Sequence, residues 1–89
     1  MKYFVQWMSS YKQLFKHDKG EEIAYTREEA DKIKDRYLQE LQKAIGLGKY
    51  CSARIWIFKQ AWFFVREQLI LEIHLDESDG IKEIDPNVH

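Results

Sequence analysis

Residues 54–66, RIWIFKQAWFFVR, carry the strongest pattern in the chain. It is close to a mirror image about Gln60, so a β-hairpin centred there would set similar residues opposite each other. Alternate side chains of a strand share a face, so one face would collect the aromatic and basic residues and the other face the aliphatic ones. The facing pairs are Arg54 with Arg66, Trp56 with Phe64, and Phe58 with Trp62.

Two registers of this hairpin remain open. A three-residue loop at residues 59–61 gives the mirror pairing, which sets Arg54 against Arg66. A shift by one residue instead places Arg54 opposite Glu67, an attractive charge pair. That shift would exchange the two faces of one strand and mix aliphatic with aromatic side chains. We prefer the mirror register because it keeps the two faces distinct.

The composition is typical of one small folded domain. The chain has 89 residues, of which 45% are hydrophobic and 15% aromatic, within the size range of a single domain. A disordered chain would combine low hydrophobicity with high net charge. The single cysteine, Cys51, permits no internal disulfide and fits a reducing cytoplasm. No apolar run reaches the ~20 residues of a membrane helix, and the N-terminus becomes polar too soon for a signal peptide. We therefore predict a cytoplasmic protein.

Charge divides the chain into two parts. Residues 76–89 carry five carboxylates against one lysine, a net charge of −4, within a total of −1. We predict one domain at residues 1–75 and an acidic, mobile tail at residues 76–89. The remaining +3 on residues 1–75 is far below the basic footprint of a dedicated nucleic-acid-binding domain.

The N-terminal third predicts one or more strands. Residues 2–8 are rich in aromatic and β-branched types, as in a strand. Ser9 and Ser10 either bend or end it, and residues 11–15 either continue it or form a second short strand. His17-Asp18-Lys19-Gly20 predicts a turn, because Asp and Gly favour turn conformations. Residues 22–25 are read as a short returning strand.

One helix is predicted at residues 27–45. Thr26 and Glu29 form the pattern of a capping box, in which the hydroxyl accepts the amide of residue 29 and the carboxylate reaches back. Gly46 and Gly48 are expected to end the helix. The apolar residues recur at spacings of three and four, which gives one stripe for packing. They are Ala30, Ile33, Tyr37, Leu38, Leu41, Ala44 and Ile45.

These elements predict an α+β fold. An antiparallel sheet of three to five strands packs its aliphatic face on the helix, in the order β-(β)-α-β-β. One helix covers one face of a sheet, and large uncovered apolar patches usually mark interfaces. We therefore predict a partner-binding face made by Arg54, Trp56, Phe58, Trp62, Phe64 and Arg66. The alternative is that the N-terminal strand or residues 9–25 cover this face as a second core layer.

The predicted face fits two kinds of partner. The first is a protein, either a different chain or a second copy in a homodimer, because Trp and Arg are enriched at binding hot spots. The second is single-stranded nucleic acid, whose bases stack on aromatic side chains. No RNA-recognition signature with a basic residue, glycine and alternating aromatics is present.

Evidence for catalysis or metal binding is sparse in the sequence. Glu72 and His74 share a strand face and can act as an acid–base pair, and Cys51 with His74 is a second conceivable pair. The cysteine and the three histidines lack metal-ligand spacing. We predict a non-enzymatic protein without cofactor or metal.

The layout resembles that of a group of small proteins. A first strand, a helix start at Tyr25-Thr-Arg-Glu-Glu-Ala30, and a C-terminal strand pair are similar to small proteins of phages and other mobile elements. Some of these are anti-CRISPR inhibitors of host defence. The resemblance covers residues 2–75 and transfers no functional residues. It implies stoichiometric binding to a host protein in the host cytoplasm.

Overall fold

The computed structural model describes residues 1–12, 15–60, 67–78 and 80–84. Its strands form one antiparallel sheet in the order β2-β1-β3-β4-β5, and the helix lies between β2 and β3 in the chain. The predicted α+β class, with one helix packed on an antiparallel sheet, is confirmed, and the sheet has five strands. The elements are β1 Lys2–Tyr11, β2 His17–Ala24, α1 Arg27–Gly46, β3 Tyr50–Gln60, β4 Gln68–Asp76 and β5 Gly80–Ile84.

The start of α1 agrees with its capping pattern. Thr26 has extended backbone angles, and its Oγ1 accepts the amide of Glu29 at 3.1 Å. The Glu29 carboxylate reaches back to the amide of Tyr25 at 3.2 Å, one residue before the cap. Two otherwise unpaired backbone donors are thereby satisfied.

The end of α1 is a Schellman motif. Gly48 has a φ of +82°, its amide donates to the carbonyl of Ile45 at 3.0 Å, and the amide of Lys49 donates to that of Ala44 at 2.9 Å. Only glycine adopts this left-handed conformation without strain. The chain therefore reverses within three residues and enters β3 at Tyr50.

The core lies between α1 and one face of the sheet. The predicted helix stripe supplies Ala30, Tyr37 and Leu41 as buried residues, with its other members packed partly against them. The central strand β3 contributes Ile55 and Ile57, both fully buried. Burying such a side chain stabilises the fold by about 1.5–3 kcal/mol. The remaining core residues are Tyr3, Val5, Ala24, Tyr50, Ala53, Leu71, Ile73 and Leu75.

The predicted turn at residues 17–20 is wrong, because these residues begin β2. Gly20 pairs with Trp7 across β1 and β2, and the Trp7 indole lies directly over it. A Cβ on Gly20 would lie 2.9 Å from Trp7 Cε2 and closer still to Nε1. The glycine therefore makes room for an aromatic ring and does not bend the chain. Ser9 and Ser10 do not end β1, which continues to Tyr11 with a bulge against β3 after Ser10.

Both predicted hairpin registers are also wrong. Arg54 pairs with His74, Trp56 with Glu72, and Phe58 with Leu69. The physical reason lies in residues 71–75, where apolar and polar side chains alternate strictly, while the sequence of residues 61–65 is apolar throughout. Pairing β3 with residues 68–76 buries Leu71, Ile73 and Leu75 against α1 and leaves polar side chains on the other face. The mirror partners at residues 61–66 lie outside the described residues.

Part of the predicted tail belongs to the sheet. β4 runs to Asp76, and residues 80–84 form β5, in which Ile81 pairs with Leu75. The Asp76 carboxylate accepts the amide of Ser78 at 2.8 Å and so stabilises the tight connection between the two strands. The fold therefore extends beyond the predicted boundary at residue 75. Residues 85–89 lie outside the described part of the chain.

Candidate binding face

The side of the sheet away from α1, here called the outer face, is ordered in transverse rows. The registers align one residue from each strand in every row, about 6–7 Å from the next row along the strand. An apolar row holds Ile23, Phe4, Phe58 and Leu69; a Trp56 row holds Glu21, Gln6, Trp56, Glu72 and Ile84. A cationic row holds Lys19, Met8, Arg54, His74 and Lys82; a serine row holds His17, Ser10, Ser52, Asp76 and Gly80.

The apolar part of the outer face is only half shielded. Ile23 is 43% exposed, and Phe4, Met8, Trp56 and Phe58 are intermediate in burial. No element of the described residues packs over these side chains. The alternative in which β1 or residues 9–25 cover the face is wrong for the described part of that segment, because β1 and β2 lie within the sheet.

The Trp56 side chain is held in place by Glu72. The indole Nε1 donates to Glu72 Oε1 at 3.1 Å, and His74 Nε2 lies 2.9 Å from the same oxygen. The hydrogen bond from His74 holds the pKa of Glu72 below its usual value, with further contributions from Trp56 and the charge of Arg54. An ionised carboxylate with two donors fixes the ring that it contacts.

The predicted Glu72–His74 pair is thus brought together, and one carboxylate oxygen is shared between His74 and Trp56. The pair of Cys51 with His74 is not brought together in this way. The Cys51 thiol donates weakly to the carbonyl of Tyr11 at 3.8 Å and contacts the Ser52 hydroxyl at 3.9 Å. Neither contact orients the thiol towards a base.

The charges of the outer face are unevenly matched. Glu21 accepts from Gln6 and Glu72 accepts from Trp56 and His74, so both carboxylates already have partners. Within the described part of the chain, Lys19, Arg54 and Lys82 form no ion pair. The cationic row crosses all five strands, a span of about 19 Å. It therefore presents three positive charges that form no ion pair within the described residues.

Half of the six residues predicted for this face lie in the described part of the chain. Arg54, Trp56 and Phe58 lie together on β3, as predicted, while Trp62, Phe64 and Arg66 lie outside the described residues. Sequence reasoning missed Phe4, Met8 and Ile23, which reach the same face from β1 and β2. The alternation of residues 2–8 places Phe4 and Met8 on one face of β1. That face could be joined to the face of Trp56 only once β1 was known to neighbour β3.

A second polar cluster joins three strands on the helix side. Asp18 Oδ2 accepts from the hydroxyls of Tyr11 and Tyr50, both at 2.6 Å, and the two rings meet edge to face at 5.1 Å. The hydrogen bond to Asp18 raises the pKa of Tyr11 to about 12, and the same two hydroxyls lower the pKa of Asp18. Lys16 and Lys49 lie over the two rings. Because the sequence predicts a turn at Asp18, this cluster could not be found from the sequence alone.

The described residues contain neither a metal-ligand cluster nor a membrane-spanning helix. No group of three or more His, Cys, Asp or Glu side chains in ranges 1–12, 15–60, 67–78 and 80–84 is placed to hold a metal ion. None of the helical segments there combines the length and hydrophobicity needed to cross a membrane.

Comparison with protein-family models, with curated proteins and with solved structures finds no match to this chain.

Proposed function

We propose that this chain is a non-enzymatic protein-binding module whose outer face contacts a protein partner. The observation that carries the proposal is the half-shielded apolar side chains of Phe4, Met8, Trp56 and Phe58, beside Arg54, which forms no ion pair with any described residue. Trp and Arg, surrounded by apolar contacts, are the residue types that dominate binding energy at protein interfaces. The fixed indole of Trp56 loses little conformational freedom when it is buried by a partner.

The charges favour a partner other than a second copy. Self-association through the outer face would bring two sets of Lys19, Arg54 and Lys82 to one interface. Like charges brought together at an interface cost free energy. A partner with a carboxylate-rich patch beside an apolar one would neutralise these cations, so we propose an acidic protein surface as the occupant.

The proposed partner is a host-defence protein, bound in the host cytoplasm. The resemblance to phage-encoded inhibitors makes a host-defence protein the first partner to test. Such an inhibitor would act in the host cytoplasm, which agrees with the single Cys51. Neighbouring phage or defence genes would support this choice of partner, whereas a metabolic operon would argue against it.

Affinity capture followed by reconstitution tests the proposal. Wild type, Trp56→Ala and Leu47→Ala are each used as bait, and any protein recovered is purified and titrated against all three. Leu47 is 77% exposed at the end of α1, far from the outer face, and serves as the matched control. We expect Trp56→Ala to weaken binding at least about thirtyfold, the ~2 kcal/mol typical of a hot spot. Leu47→Ala should leave the affinity within about twofold.

Equal binding by wild type and Trp56→Ala would contradict the proposal. Light scattering on the purified chain provides a separate test of self-association. A dimer that Trp56→Ala dissociates would identify a second copy as the occupant, in place of the acidic partner. A monomer across the concentration range would exclude the homodimer.

Single-stranded nucleic acid is the second candidate, and the cationic row is the observation that favours it. Lys19, Arg54 and Lys82 run parallel to the aromatic side chains, as in sites where phosphates and bases bind side by side. However, Glu21 and Glu72 lie between the cationic and apolar rows and would repel a phosphate backbone.

Fluorescence anisotropy with a labelled oligothymidylate separates the two candidates. Nucleic-acid binding should strengthen steeply as salt is lowered, and Arg54→Gln should reduce its salt dependence. Absence of binding at low salt would eliminate this candidate and leave the protein partner.

A further inference from the structure

A small pocket opens on the outer face between β1, β2 and β3. It has a volume of about 250 Å³ and is lined by Met8, Ser10, His17, Ser52, Ala53 and Arg54. It belongs to the serine row and the cationic row, and the carboxylates of the Trp56 row do not line it. Its polar side chains are two hydroxyls, one imidazole and one guanidinium.

These side chains are suited to donate hydrogen bonds to one group. Ser10 Oγ lies 3.0 Å from His17 Nδ1. When that nitrogen donates to Ser10, the hydroxyl hydrogen of Ser10 stays free for a ligand. The single hydrogen of the Cys51 thiol is shared between the Tyr11 carbonyl at 3.8 Å and Ser52 Oγ at 3.9 Å, and neither contact uses the hydroxyl hydrogen of Ser52. Arg54 has no ion-pair partner in the described chain and offers several N–H groups at the pocket wall.

The pocket adjoins a larger apolar groove. That groove has a volume of about 560 Å³, and its lining includes Gln6, Met8, Lys19 and Trp56, together with Glu21 on the side away from the pocket's guanidinium. Met8 lines both spaces, so a ligand with two parts can occupy them together. A charged group in the pocket would leave its apolar substituent against Met8 and the Trp56 indole.

We propose that this pocket binds a phosphate monoester whose substituent is apolar or aromatic, as on a phosphorylated side chain. A phosphate monoester offers three terminal oxygens and a charge of about −1.5 to −2, which matches two hydroxyl donors and a guanidinium. A carboxylate has only two oxygens, and a phosphodiester of nucleic acid has one charge. The pocket does not depend on the proposed function, but the assignment of its natural ligand to a protein partner does.

Nuclear magnetic resonance titration of the ¹⁵N-labelled protein tests this site. The probes are inorganic phosphate and phenyl phosphate, with sodium chloride at matched ionic strength as the reference. We expect saturable shifts at Ser10, His17, Ser52 and Arg54 with both phosphates. Phenyl phosphate should bind about tenfold more tightly and add shifts at Gln6 and Met8, since its ring buries apolar surface in the groove.

Two variants locate the effect. Arg54→Gln should weaken phosphate binding at least about tenfold, because a charge-assisted hydrogen bond is lost. Ser52→Ala, a smaller change, should weaken it about threefold to tenfold. Lys82→Gln at the far end of the cationic row is the matched control and should change the affinity less than about twofold.

Three outcomes would overturn the site. These are the absence of saturation at about 10 mM phosphate, equal losses in Arg54→Gln and Lys82→Gln, and thymidylyl-thymidine binding as tightly as phenyl phosphate. The last outcome would instead indicate nucleic acid. Partner capture through Trp56 without phosphate binding would overturn this inference and leave the proposed function standing. Phosphate binding without any captured protein would contradict the proposed function and leave the phosphate site standing.

Discussion

At the scale of single residues, the position of the Trp7 indole depends on the lack of a side chain at Gly20. The Trp7 indole covers Gly20 and also contacts the Tyr37 ring at a centroid distance of 6.2 Å. We expect Gly20→Ala to lower the free energy of unfolding by about 1–3 kcal/mol, the usual cost of overpacking. Denaturant unfolding followed by circular dichroism measures this change.

Gly46→Ala is the matched control for that substitution. Among the described residues, no heavy atom outside the adjoining residues and the backbone of α1 itself lies within 4 Å of a Cβ at Gly46, which is in the last turn of α1. Alanine favours helix over glycine, so this change should be neutral or stabilising by up to about 1 kcal/mol. If both variants were equally stable, the close contact between Trp7 and Gly20 would be refuted.

The cluster of Tyr11, Asp18 and Tyr50 predicts a dependence of stability on alkaline pH. The folded pKa of Tyr11 is raised from 10.0 to about 12, because its hydroxyl donates to the Asp18 carboxylate. The protonated phenol is therefore favoured in the folded state. Its stabilising contribution is complete below about pH 10 and is lost as pH rises through about 12. Unfolding midpoints measured across this range should fall more steeply for wild type than for Tyr11→Phe.

The same cluster has an opposite dependence at acid pH. The two hydroxyls lower the pKa of Asp18 in the folded state. The contribution of Asp18 to stability is therefore present above its ordinary pKa and is lost as the pH falls through its pKa in the folded protein. A Tyr11→Phe variant whose stability follows the same curve as wild type at both extremes would show that the cluster does not couple to folding.

At the scale of elements, α1 contributes through its packed face. Leu41 is 4% exposed near the middle of the apolar stripe. We expect Leu41→Ala to lower the free energy of unfolding by about 2–5 kcal/mol, because it leaves a cavity between α1 and β3. Thermal and denaturant unfolding measure the loss.

Leu47→Ala provides the comparison for α1, because Leu47 is the exposed C-cap residue. Its substitution should change stability by less than about 0.5 kcal/mol. A melting temperature unchanged by Leu41→Ala would mean that the stripe is not part of the core.

β5 has a different role, because it covers the edge of β4. Removal of residues 79–89 would expose the backbone of β4 beside the apolar Ile73 and Leu75. Unpaired apolar edges promote association between chains. We expect the truncated chain to unfold at lower denaturant concentration and to associate at high protein concentration, measured by light scattering. A truncated chain that stays monomeric and equally stable would show that β5 adds nothing to the sheet.

At the scale of the whole molecule, local signals predicted the elements better than their arrangement. The helix was predicted at residues 27–45 and spans residues 27–46, because a cap and a repeat of three and four residues lie within one short segment. The two faces of β3 were also correct in character, since alternation places Ile55 and Ile57 on the helix side and Trp56 and Phe58 on the other side. Each of these features depends on residues close together in the chain.

The sequence alone therefore predicted the helix, the α+β class, and the aromatic and basic character of Arg54, Trp56 and Phe58. The tertiary structure decided which strands are neighbours: β1 inserts between β2 and β3, Trp56 meets Glu72, and residues 80–84 join the sheet. Several registers satisfy the alternation of the local sequence almost equally, and burial against α1 decides between them. The mirror symmetry of residues 54–66 satisfied alternation but not that burial. For this reason the outer face combines residues of β1, β2 and β3 that are far apart in the chain.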